Sequence, residues 1–97
     1  MGLALFILFL AVRSQAIDTQ KGWSDWLSEG QSLRDAGDYA AAAHAFREAL
    51  KIAESSSVAD AQLIALDDAL AETSAEAGQF AEAEAAYRRA LSLVEKE

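Results

Sequence analysis

Two segments of the chain carry one pattern, 41 residues apart: GDYAAAAHAFREAL from Gly37 to Leu50 and GQFAEAEAAYRRAL from Gly78 to Leu91. Each opens on a glycine, places an aromatic ring two residues later, and then sets alanines at helical steps around a second ring. The glycine can end a helix, because it enters the left-handed conformation at little cost. The aromatic then anchors the helix that follows. In the first segment Tyr39, Ala42, Ala43, Phe46, Ala49, Leu50 and Ala53 recur at three- and four-residue steps and so share one face. Each segment therefore reads as the junction and second helix of a hairpin. One such hairpin cannot hide its apolar face, whereas stacked hairpins can. The expected fold is all-α, two stacked antiparallel helical hairpins.

The intervening sequence supplies the other helices. The first is expected from Ser24 to Ala36, with the Ser24 hydroxyl as its cap, Trp26, Leu33 and Ala36 as its stripe, and Gly30 as a point of close contact. Trp23 and Trp26 read as a cover for the start of the hairpin or as a ligand shelf. The second helix starts at Asp38 or Tyr39 and runs to about Ala53, capped by Asp38. The serine run Ser55 to Ser57 marks a break, and Ser57 with Asp60 resembles a capping box. The third helix is expected from Val58 to about Glu76, with Leu63, Leu66, Leu70 and Ala77 on one stripe and Ile64 beside it. The fourth runs from Gln79 or Phe80 to about Glu95, with Phe80, Ala83, Tyr87, Leu91 and Val94 as its buried face. Arg88 and Arg89 fall on its wet side, where Glu84 and neighbouring acids can pair with them.

Residues 1–16 differ from the rest. The apolar run Leu3 to Val12 is too short to span a bilayer, which takes about 20 residues. It suits the core of a secretory signal peptide, and the small residues Ser14 and Ala16 suit cleavage after Ala16. The alternative is an uncleaved segment that tethers the chain to a membrane. On the first reading the chain divides into a signal peptide at 1–16, a flexible lead at 17–22 and a helical domain at 23–97, with units of about 23–56 and 57–97. The domain would be exported, to a periplasm or outside the cell. There is no cysteine, so disulfide and thiolate chemistry are excluded.

Charge and side-chain inventory limit the function. One of the 8 basic residues, Arg13, lies in the leader, so cleavage would take the formal charge from −8 to −9. That opposes nucleic-acid binding, which rests on phosphate neutralisation, and docking of the mature domain on anionic lipid. His44 is the only histidine and has no cysteine to join it, so no metal site is expected. Ser55 to Ser57 lack the setting of a nucleophile elbow, and no glycine-rich phosphate loop is present. No cofactor and no catalytic residues are expected. Asp68, Glu72 and Glu76 recur every four residues on one helix face. Such a strip is a solvated surface, an attractor for a peptide with basic side chains or, most remotely, a weak hold on a hard cation.

Together these residues resemble the tetratricopeptide repeat family, whose 34-residue unit is a helix–turn–helix. Trp26, Gly30, Gly37, Tyr39, Ala42, Phe46 and Ala49 fit its spacing in the first unit, and Leu70, Ala71, Gly78, Phe80, Ala83, Tyr87 and Ala90 in the second. Leu33 and Ser74 depart from a position where tyrosine is common. Glu29 stands where leucine is usual, and Asp67 where the first unit has Trp26. The seven extra residues fall around Ser55 to Leu63, similar to the longer repeats of kinesin light chains and many bacterial repeat proteins. The resemblance spans Trp23 to Glu97. It implies a concave surface built from the first helix of each unit, here Leu27, Gln31, Arg34 and Asp35, then Asp68, Glu72 and Glu76. It also implies that Phe80, Tyr87, Leu91 and Val94 need a cover: a second copy, another protein, or more of a repeat array. The expected function is non-catalytic protein binding or assembly. The alternatives are a structural homo-oligomer or part of a longer array joined through the C-terminal hairpin, and more remotely an enzyme.

Overall fold

The computed structural model describes residues 21–96; the expected signal peptide and residues 17–20 of the lead lie outside them. Four helices follow in order: α1 (Trp23–Asp35), α2 (Tyr39–Glu54), α3 (Asp60–Glu76) and α4 (Phe80–Lys96). No strand occurs among the described residues. α1 packs on α2, α2 on α3 and α3 on α4, as expected for two stacked hairpins.

The two hairpin turns are built alike. At the end of α1, Gly37 N–H donates to the Arg34 carbonyl and Asp38 N–H to the Leu33 carbonyl, both at 2.9 Å. At the end of α3, Gly78 N–H donates to Ala75 at 3.0 Å and Gln79 N–H to Ser74 at 2.8 Å. This paired pattern closes a helix when the residue after its cap is left-handed. Gly37 and Gly78 are left-handed, at φ +84° and +81°. Asp38 then caps α2, its carboxylate accepting from Ala41 N–H at 3.4 Å.

The serine caps are not formed. α1 begins one residue earlier than expected, at Trp23, and the Asp25 carboxylate accepts from Gly22 N–H at 3.1 Å. α3 begins two residues later than expected, at Asp60, and the Gln62 side chain accepts from Ala59 N–H at 3.1 Å. In both places the third residue of the helix reaches back to satisfy an orphan amide. Ser57 is spent on the turn itself, at φ +54°, while the Ser55 and Ser56 hydroxyls donate to the Ile52 carbonyl.

The core sits between α2 and its neighbours. Ala42, Ala43, Phe46, Ala49, Leu50 and Ala53 of α2 are buried with Leu66, Leu70 and Ala71 of α3 and Ala86 of α4. Trp23, Trp26, Leu27 and Leu33 pack half-buried against this cluster. Ala36 is exposed and caps α1 instead of extending its stripe.

The expected buried face of α4 is corrected. Its buried residues are Ala83, Ala86 and Ala90. Phe80, Tyr87, Leu91 and Val94 are 70%, 48%, 57% and 53% exposed. Of their counterparts in α2, Phe46, Leu50 and Ala53 are buried in the cluster that includes Leu66 and Leu70 of α3, and no described helix occupies the corresponding place over α4.

Candidate binding groove between the first and third helices

α1 and α3 meet along a cleft of about 220 Å³, lined by Trp23, Leu27, Gln31, Gln62, Ala65, Leu66 and Ala69. The spacing explains why these side chains converge. Gln62, Ala65, Leu66 and Ala69 step by three, one and three along α3, and Trp23, Leu27 and Gln31 step by four along α1. The small residues Ala65 and Ala69 leave room opposite Trp23 and Leu27. The amides of Gln31 and Gln62 supply donors and acceptors at the rim.

One helical turn further along, the character changes. The Arg34 guanidinium reaches from α1 to α3 and meets Glu76 at 2.8 Å and Glu72 at 3.2 Å. These pairs are solvent-screened, worth under about 1 kcal/mol each. They tie α1 to α3 and partly neutralise the acidic strip. Four carboxylates, Asp35, Asp68, Glu72 and Glu76, still face one guanidinium among the residues named for this surface. No ion pair among the described residues engages Asp35 or Asp68.

Of the seven residues expected on this surface, Leu27 and Gln31 line the cleft, and Arg34, Glu72 and Glu76 form the bridge beside it. Asp35 and Asp68 are exposed and touch neither feature. Gln62, Ala65, Leu66 and Ala69 were not expected in the groove. They lie three residues before members of the acidic strip or one turn further back: Ala69 before Glu72, Ala65 before Asp68, with Gln62 and Leu66 beside Ala65.

A second polar feature lies across the molecule. A cleft of about 370 Å³ is lined by Leu50, Glu54, Leu63, Asp67, Arg88, Arg89, Ser92 and Leu93. At its base Arg89 donates to Asp67 at 3.0 Å. Asp67 is buried, and desolvation pushes its carboxyl above the ordinary range even though Arg89 opposes that. Arg89 stays exposed on its outer side while its guanidinium turns to Asp67, and Arg88 pairs with Glu84 at 2.5 Å. Nearby, Arg47 holds both oxygens of Glu82, and the Ser74 hydroxyl adds a bond at 3.1 Å. The bond from Arg47 outweighs burial and keeps the Glu82 carboxyl below the usual range. Asp67, Arg89, Arg47, Glu82 and Arg88 each have a partner, so this region reads as a structural network between the hairpins.

His44 is exposed, its ring set edge-on to Trp26 at 6.1 Å, with the Lys21 ammonium 3.8 Å over the same tryptophan. Among the described residues no group of three or more histidines and carboxylates could hold a metal ion. No helix among them is long and apolar enough to cross a membrane.

Comparison with known proteins bears on the repeat pattern. Two models of the tetratricopeptide repeat match the chain, one over residues 23–56 and one over residues 69–96. The second match begins within α3, so residues 57–68, the region of the extra length, fall between them. No curated protein and no solved structure matches the chain.

Proposed function

Because the chain belongs to the tetratricopeptide repeat family, a fold whose repeats mediate protein–protein interaction and assembly, we propose that it is a non-catalytic module that holds a segment of another protein in the α1–α3 groove. The observation that carries this is the cleft of Trp23, Leu27, Ala65 and Ala69 beside an excess of carboxylates. Such a groove favours a ligand with one or two apolar side chains followed by lysine or arginine. The apolar part displaces water from the cleft, and the acidic end steers approach and sets direction. Arg34 would rearrange as a basic side chain competes for Glu72 and Glu76.

The test is capture of partners by the full chain and by an Asp68→Lys, Glu72→Lys variant whose helix content is first verified by circular dichroism. The expected result is one discrete partner held by the wild type and lost by the variant. Identical capture by both would move binding away from this groove.

Residues 1–16 support a site of action outside the cytoplasm. The apolar run Leu3 to Val12, with Ser14 and Ala16, supports export and cleavage after Ala16, giving a periplasmic or secreted domain. N-terminal sequencing of the mature protein should begin at Ile17. An intact Met1 in the membrane fraction would favour a tethered form.

A further inference from the structure

We propose that the exposed face of α4 pairs antiparallel with α4 of a second copy of this chain, Tyr87 against Tyr87 across a two-fold axis. The first support comes from internal repetition. A shift of 41 residues lays Phe46, Leu50 and Ala53 of α2 on Tyr87, Leu91 and Val94 of α4. The α2 residues are 1%, 5% and 1% exposed, whereas the α4 residues are 48%, 57% and 53% exposed. In α2 these positions lie in the cluster that Leu66 and Leu70 of α3 complete. The α4 face is therefore shaped to receive a helix.

The helix that a second copy can offer is narrowed by the same alignment. If its α1 took the place that α3 takes on α2, Asp25 and Glu29 would stand where Leu66 and Leu70 stand. Two exposed carboxylates, Asp25 bonded to Gly22 N–H and Glu29 paired with Lys21, would be drawn out of water in place of two leucines, which is unfavourable. The apolar faces of α2 and α3 are already committed to their own core. α4 remains, with its own apolar stripe uncovered.

Charge agrees with this choice. The chain carries a formal −8, yet α4 holds three acids, Glu82, Glu84 and Glu95, against three bases, Arg88, Arg89 and Lys96. Glu84 and Arg88 lie on the same flank of the stripe, and both are largely exposed. Reversing one helix about Tyr87 sets Phe80 opposite Val94 and brings Leu91 level with Ala83, which is buried in its own hairpin and leaves the ring of Tyr87 as the contact for Leu91. It also brings Glu84 of each copy to within about 3 Å of Arg88 of the other along the helix axis. The two pairs made within the two helices, one in each copy, can thus be exchanged for two pairs across the interface.

Sedimentation equilibrium of the full chain tests this, with circular dichroism confirming that each variant is folded. The wild type should show a dimer that dissociates on dilution, and Leu91→Lys should weaken it by about tenfold or more. Glu84→Arg and Arg88→Glu should each weaken it when alone, and mixing the two variants should restore dimers. Restoration by mixing cannot arise from the pair within one helix. A wild type that stays monomeric, self-association that survives Leu91→Lys, or no rescue on mixing would overturn the proposal.

Discussion

Arg89 of α4 donates to the buried carboxylate of Asp67 in α3 at 3.0 Å, although the two residues are 22 apart in the chain. Asp67 stands where the first unit has a tryptophan, so an ionised group occupies a place otherwise given to a ring. Removing its partner should be costly. Arg89→Ala is expected to lose about 1–3 kcal/mol of stability at neutral pH, the cost of leaving a buried acceptor unpaired. In an Asp67→Asn background the same change should cost much less. Urea unfolding of the four chains gives this coupling directly.

The same pair sets a pH dependence. The Asp67 carboxyl is raised above its ordinary 3.8, chiefly by desolvation. The folded chain then keeps a proton that the unfolded chain has released, so ionisation of Asp67 costs stability as pH rises through that window. The penalty of Arg89→Ala should therefore shrink on acidification. Glu82 behaves oppositely, because the bond from Arg47 lowers its carboxyl below 4.5. Its contribution is present above 4.5 and is lost as pH falls through the lowered value. Glu82→Gln should destabilise at neutral pH, with the difference vanishing in acid. Unfolding curves across pH 2 to 7 check both signs.

Two glycines are required for different reasons. A Cβ on Gly30 would lie 2.7 Å from the Phe46 ring, which is 1% exposed and cannot retreat. Gly30→Ala should cost about 1–3 kcal/mol by overpacking, despite the helix preference of alanine. Shrinking the ring with Phe46→Leu in the same chain should recover part of that loss. A Cβ on Gly37 would meet nothing within 4 Å, but φ is +84°. Gly37→Ala should cost about 1–2 kcal/mol through its backbone alone, and no change at Phe46 should relieve it.

Thr73 is buried, and its hydroxyl has no hydrogen-bond partner. Thr73→Val keeps the shape and removes the unpaired oxygen. The variant is expected to be more stable, by about 1 kcal/mol, in denaturant unfolding.

The hairpins were legible because their signals are local. Gly37 and Gly78 followed by an aromatic and spaced alanines report backbone geometry within a few residues. The caps were misread for an equally local reason: serines at Ser24 and Ser57 drew attention, while Asp25 and Gln62 close the helices from the third position. The bridge from Arg34 to Glu72 and Glu76, and that from Arg89 to Asp67, depend on how neighbouring helices register. Periodicity along one helix holds no information on that. Of the cleft's lining, Leu27 and Gln31 were legible, whereas Ala65 and Ala69 carry neither the charge nor the size that marks a residue in a sequence.

The central claim is that a protein segment lies in the groove between α1 and α3, and site-specific photo-crosslinking tests it most directly. A crosslinker at Gln31, on the groove, and another at Ser55, in the exposed α2–α3 turn, should be compared in the cell. The account predicts a discrete partner joined to Gln31 and none to Ser55. Partners joined only at Ser55, or equally at both positions, would contradict it.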